Sequence, residues 1–142
     1  MAPFRRTFCV EAITPDGRSV TSDARSVVYP GPDGQVGVLG NHAPLIGMVG
    51  SGLFEIKDPE GLTQQYFVSG GFVQVRENEF TLLAEDLQEL GEMNPEEVYE
   101  EIEKARALPR VTDEEVASRE AAIKAARDKF SLVQKYRRRT RG

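Results

Sequence analysis

The sequence predicts an α+β protein: an N-terminal antiparallel β-sandwich over residues 1–88, then a C-terminal two-helix hairpin over residues 92–142. Three observations carry this. Up to about Ala84 the chain is a series of short β-prone runs cut by turns rich in Gly, Pro and Asp. After Gly91 the apolar period lengthens to that of a helix, behind two separate helix-start signatures. The charge balance changes at the same place: residues 1–90 hold 12 acidic and 6 basic side chains, residues 91–142 hold 11 and 12.

The strand half is justified run by run. Thr7 to Ile13 mixes Phe, Cys, Val and Ile with polar residues in partial alternation, and Pro15-Asp16-Gly17 turns the chain. Ser26 to Tyr29 is the next β-prone run, stopped by Pro30-Gly-Pro-Asp-Gly34, and Gln35 to Leu39 resumes it. Leu53 to Lys57 alternates cleanly and ends at Asp58-Pro-Glu-Gly61. Gln65 to Val68, Phe72 to Arg76 and Phe80 to Ala84 follow. Glu77-Asn-Glu79 is a hairpin turn, and Gly70-Gly71 marks a turn or a close backbone approach.

Asn94-Pro-Glu-Glu97 opens the first helix. Asn94 accepts from free amides, Pro95 suits the first helical position, and two acids complement the positive end of the dipole. Val98, Ile102, Ala105 and Leu108 recur at helical spacing until Pro109, which has no amide hydrogen for an interior position. Thr112-Asp-Glu-Glu115 is a capping box, and Val116, Ile123, Ala126, Phe130 and Val133 line one face of the second helix. Short helices with so narrow a stripe depend on tertiary contacts, so the hairpin is the part expected to move.

Composition excludes several classes. A hydrophobic fraction of 39% without Trp supports a modest core. No apolar run approaches a membrane span, and Met1 to Thr7 has charge without a following apolar segment, so no signal peptide is expected. Cys9 is the single cysteine, which fits a reducing compartment and a structural role. An acidic body argues against general nucleic-acid binding. There is no phosphate loop, dinucleotide fingerprint or nucleophile elbow, and one Cys with one His cannot build a zinc site. His42 reads better as a loop side chain bonding backbone before Pro44 than as a general base; a catalytic reading would need Asp33 or Glu85 beside it. The apolar residues around it, Val36, Val38, Leu39, Leu45 and Ile46, either dock a partner or fill the sandwich end. From the residues alone, the remaining alternative is a stand-alone β-sandwich adaptor whose basic hairpin binds protein or RNA.

Two segments carry a resemblance. Gly34-Gln-Val-Gly-Val-Leu-Gly-Asn-His-Ala-Pro-Leu45 and Phe67-Val-Ser-Gly-Gly-Phe72, with Leu82-Leu-Ala84 and the helical hairpin in order behind them, resemble the epsilon subunits of F-type ATP synthases. The resemblance covers nearly the whole chain. It implies a central-stalk subunit with no catalytic residues and no cofactor, coupling proton flow through the c-ring to ATP synthesis. Its sandwich would bind the gamma subunit, and the segment of Gln35, Val36, Gly37, Val38, Leu39, Asn41, His42, Ala43 and Pro44 would face gamma and the c-ring. Its hairpin would extend toward the catalytic alpha and beta subunits to inhibit hydrolysis, presenting Arg137, Arg138, Arg139 and Arg141. No nucleic acid is implied. The place implied is the cytoplasmic face of the plasma membrane in a bacterium, or the matrix or stromal face in an organelle. Family members often have Pro before the Asn-His, where this chain has Gly40. Some bacterial relatives bind ATP in the folded hairpin through an Ile/Leu-Asp-x-x-Arg-Ala segment. The match here is Ile102, Glu103, Arg106 and Ala107, with Lys124, Arg127 or Lys129 to complete it. Glu103 is one methylene longer than the family's Asp, so ATP is a candidate regulatory ligand whose binding is not expected.

Overall fold

The computed structural model describes residues 7–141, with side chains up to Arg139. The chain forms two compact units that divide between Glu89 and Leu90.

The first unit has eight strands: β1 (Phe8–Ile13), β2 (Ser19–Ala24), β3 (Ser26–Gly31), β4 (Gly34–Leu39), β5 (Leu45–Met48), β6 (Ser51–Lys57), β7 (Thr63–Arg76) and β8 (Glu79–Glu89). The hydrogen-bonded order is β2-β1-β8-β7-β6-β3-β4, with β5 also on β7. This single sheet folds over into two layers. The first half of β7 pairs with β6 and with the end of β8; its second half pairs with β5 and with the start of β8. One layer is therefore β4-β3-β6-β7-β8, and the other is β5-β7-β8-β1-β2. The ladders are antiparallel except β1 on β8, where Cys9 to Ile13 run parallel to Glu79 to Leu83. The strands of that pair are far apart in sequence, so no tight turn obliges them to be antiparallel.

Gly70-Gly71 is where β7 changes layer, inside one strand and not at a turn between two. The register continues through it: Ser69 faces Asp86, and Gly71 faces Ala84. The side of the strand that meets the core changes, from Tyr66 and Val68 before the pair to Val73 and Val75 after it. Both glycines have positive φ, 71° and 123°. A Cβ on Gly71 would fall onto the Leu83 carbonyl, so only glycine lets the strands cross here. The core closes between the layers. Phe80 stacks on Phe54 at 6.0 Å and meets Tyr29 at 6.0 Å, with Val10, Val27, Ile56 and Leu82 fully buried around them.

Turn chemistry follows the residues. Thr14 donates to the Asp16 carboxylate and holds its pKa below the usual value, with Arg18 adding to the effect. Glu77 and Asn78, both at positive φ, make a two-residue hairpin turn closed by the Arg76–Glu79 pair.

The second unit starts with a 3-10 turn (Leu90–Glu92), followed by α1 (Pro95–Arg106) and α2 (Asp113–Arg141). Asn94 Oδ1 accepts the Glu96 amide at 2.9 Å. Thr112 and Glu115 exchange reciprocal bonds of 3.1 and 3.3 Å, closing the capping box. α1 ends at Arg106, before Leu108, because the residue preceding a proline is pushed out of the helical region. Leu108 is thus an exposed loop residue, and Val116 at the start of α2 is also exposed. Val98, Ile102 and Ala105 are buried on α1, Ala126 and Val133 on α2, and Tyr99 meets Phe130 edge-on at 5.8 Å. Among the described residues no helix is long and apolar enough to cross a membrane.

Candidate functional site

Of the segment proposed to face partners, Gln35 to Leu39 is strand β4, not loop. Its alternation sends Val38 into the core at 1% exposure, so Val38 supplies packing and no surface; Val36 is half-buried. Gln35, Gly37 and Leu39 face outward, and Leu39 is 65% exposed. The true loop is Gly40 to Pro44, and Asn41, His42, Ala43 and Pro44 are all exposed.

That loop is short and doubly held. Asn41 takes a left-handed conformation at φ 61°, and the His42 amide donates back to Leu39 O at 3.3 Å. The Asn41 amide donates to Asn78 Oδ1 at 2.8 Å, across from the β7–β8 turn. His42 Nδ1 lies 2.6 Å from Ala43 O, a contact that requires the proton on Nδ1. The histidine serves the backbone of its own turn. Asp33 lies in the β3–β4 turn, and Glu85 lies in β8 beside Gly70. Among the described residues no cluster of three His, Cys, Asp or Glu side chains could hold a metal.

Beside the loop lies a surface of which sequence reading singles out only Ile46. Met48 pairs with Phe72, and Phe72 with Leu83, so three apolar side chains stand in one row across β5, β7 and β8. Ile46 stands two residues along from Met48 on the same face. All four are more than half exposed, with Ile46 at 78%, and Ile46, Phe72 and Leu83 border a shallow hollow of about 220 Å³. Isolated exposed apolar residues are ordinary, but four in register form a contiguous patch.

The hairpin holds the other candidate residues. Ile102 is buried on α1 and cannot meet a ligand directly, while Ala107 caps the helix end. Arg106 lines a cleft of about 440 Å³ between α1 and α2. Arg119, Lys124 and Arg127 line it too, opposed by Glu120 and Asp128. Glu103 does not reach across; its carboxylate holds Arg106 at 3.2 Å. Lys124 is paired with Asp128 at 2.8 Å. Lys129 is withdrawn from the cleft altogether: it is buried and bonds Glu101 at 2.7 Å. Arg119, which no sequence signal marks, donates to Arg106 O at 3.1 Å and ties α2 to the end of α1.

The four arginines of the tail belong to α2 and do not form a separate end. Arg137 donates to Met93 O at 3.3 Å, and Arg138 and Arg139 are exposed; the side chain of Arg141 lies outside the described residues.

A braced loop, an apolar strip and a helical pair define a class: a β-sandwich domain that carries an α-helical hairpin. Comparison with known proteins narrows it. Residues 7–89 match the family model for the ATP synthase delta/epsilon chain, β-sandwich domain, and the chain belongs to that family. It is 34% identical over 127 residues to the ATP synthase epsilon chain of a Nitratiruptor species, covering 89% of this chain and 98% of that one. It is 40% identical over 102 residues to the epsilon chain of Pelotomaculum thermopropionicum, covering 72% and 69%. A chain of the Euglena gracilis mitochondrial ATP synthase superposes with a TM-score of 0.80 at 18% identity, over 93% of this chain and 84% of that one. That last likeness shows the fold.

Proposed function

We propose that this protein is the epsilon-type subunit of the central stalk of an F-type ATP synthase, a non-catalytic rotor part coupling ion flow to ATP synthesis. The sandwich, residues 1–88, docks on the gamma subunit and the c-ring, and the hairpin, residues 92–142, regulates hydrolysis. The observation that carries the docking role is the strip of Met48, Phe72, Leu83 and Ile46 beside the braced loop. A hydrophobic strip of this kind supplies the core of an interface, and a stiff loop beside it supplies register. We assign the strip to gamma, and Leu39 with the Asn41–Pro44 loop to the c-ring. The protein would then sit as a peripheral subunit on the membrane face that carries the catalytic head: cytoplasmic in a bacterium, matrix or stromal in an organelle.

Phe72→Asp and Leu83→Asp test this in the full chain. Both side chains are exposed, so folding should be kept while co-purification with gamma is lost. Retained gamma binding by the folded double variant would refute the assignment of the strip. The cleft charge at Arg106, Arg119 and Arg127 suits a polyphosphate. Against that, Glu103 already occupies Arg106, which supports weak ATP binding or none.

A further inference from the structure

We propose that Asn78 is the positioning residue of the docking loop, an inference that rests on the docking role given to Asn41–Pro44 above. The loop runs from the end of β4 to the start of β5, both paired in the sheet. Its internal bonds, His42 N to Leu39 O and His42 Nδ1 to Ala43 O, shape the turn. Asn78 ties it to the β7–β8 turn. The Asn78 side-chain oxygen accepts the Asn41 amide at 2.8 Å, across a sequence separation of 37. The Asn78 backbone carbonyl accepts the Cys9 amide at 3.0 Å, at the start of β1. One residue therefore joins three chain segments at the same end of the sandwich.

The residue type follows from two demands. Position 78 needs a left-handed backbone, φ 58°, which Gly, Asn and Asp adopt most readily. It also needs a side-chain acceptor one methylene from the backbone, which Gly lacks. Asn meets both without adding a negative charge beside Glu77 and Glu79. The brace sets the loop before any partner arrives, so the cost of ordering it falls on folding and not on docking.

The two substitutions Asn78→Gly and Asn78→Asp separate the brace from the turn. Gly keeps the backbone geometry and removes the acceptor; Asp keeps both. In the full chain, amide exchange at Asn41 should rise about tenfold in Asn78→Gly, the scale of one hydrogen bond, and stay near wild type in Asn78→Asp. Affinity for a gamma–c-ring assembly stripped of this subunit should fall in parallel, with Asp restoring it. Unchanged exchange at Asn41 in Asn78→Gly overturns the brace. Raised exchange with undiminished affinity leaves the brace standing and overturns the docking role of the loop.

Discussion

The ion pair between Lys129 and Glu101 makes a sharp prediction about what holds the hairpin closed. Lys129 is on α2 with only 6% of its side chain exposed, and its Nζ lies 2.7 Å from Glu101 Oε2 on α1, whose side chain is 43% exposed. The two residues carry unequal burdens. Glu101→Gln removes a compensating charge from beside a buried ammonium. Breaking a fully buried pair this way costs about 3–5 kcal/mol. Glu101 is nearly half in water, so the loss is closer to that of a hydrogen bond to a charged group, about 1.5–3 kcal/mol. A cost of about 2 kcal/mol is roughly a thirtyfold shift in the closing equilibrium. The reverse change behaves differently. Lys129→Met keeps an apolar stem in the buried site and leaves Glu101 to water, so its effect should stay within about 1 kcal/mol of wild type, in either direction.

Hydrogen exchange in the full chain reads this directly. Amides of Ile102 and Ala126 report the hairpin, and the Val68 amide in β7 serves as an internal reference. Glu101→Gln should accelerate the first two by more than tenfold and leave Val68 unchanged. Lys129→Met, and the double variant, should resemble wild type. Equal effects of the two single variants would mean that the pair acts through packing alone. No effect of Glu101→Gln would mean that the pair contributes nothing to closure, and the reasoning from burial would be refuted.

Three further outcomes follow from the same surfaces. A fragment of residues 1–88 should fold and co-purify with gamma, because the core cluster lies wholly within that span; an unfolded fragment would refute the division. Calorimetric titration of the full chain with ATP should show weak binding or none, since Glu103 engages Arg106; micromolar affinity lost on Arg106→Ala would refute this. Neutralising Arg138, Arg139 and Arg141 together should raise ATP hydrolysis in the assembled enzyme, and raised salt should mimic it, since exposed pairs contribute on the order of 0–1 kcal/mol each. Arg137 is left in place because its bond to Met93 O ties the hairpin internally, and hydrolysis unchanged at low ionic strength would refute a role for the other three.

What the sequence discloses and what it hides have physical causes. Helix starts are local events, and Asn94 and the Thr112–Glu115 box are legible because the capping residue and its amide are neighbours in sequence. The helix stop is less so: Pro109 acts on the residues before it, and α1 ends three residues earlier. Strand β2, Ser-Val-Thr-Ser-Asp-Ala, escapes sequence reading because it is a sheet-edge strand with one buried side chain, too polar to register as β-prone. Strand β5 is hidden for the opposite reason, merged into the apolar stretch after Pro44. The apolar strip is out of reach of any local rule. Strict alternation puts Phe72 on the same side as Tyr66 and Val68, which are core residues. The Gly70-Gly71 crossing reverses the buried side, and Phe72 emerges at the surface with Met48 and Leu83 beside it. The glycine pair thus has two consequences from one cause. It lets β7 serve both layers of the sandwich, and it turns side chains that periodicity assigns to the core into a surface strip. A bulky residue at Gly71 should therefore damage the fold and the strip together, whereas Phe72→Asp should damage the strip alone.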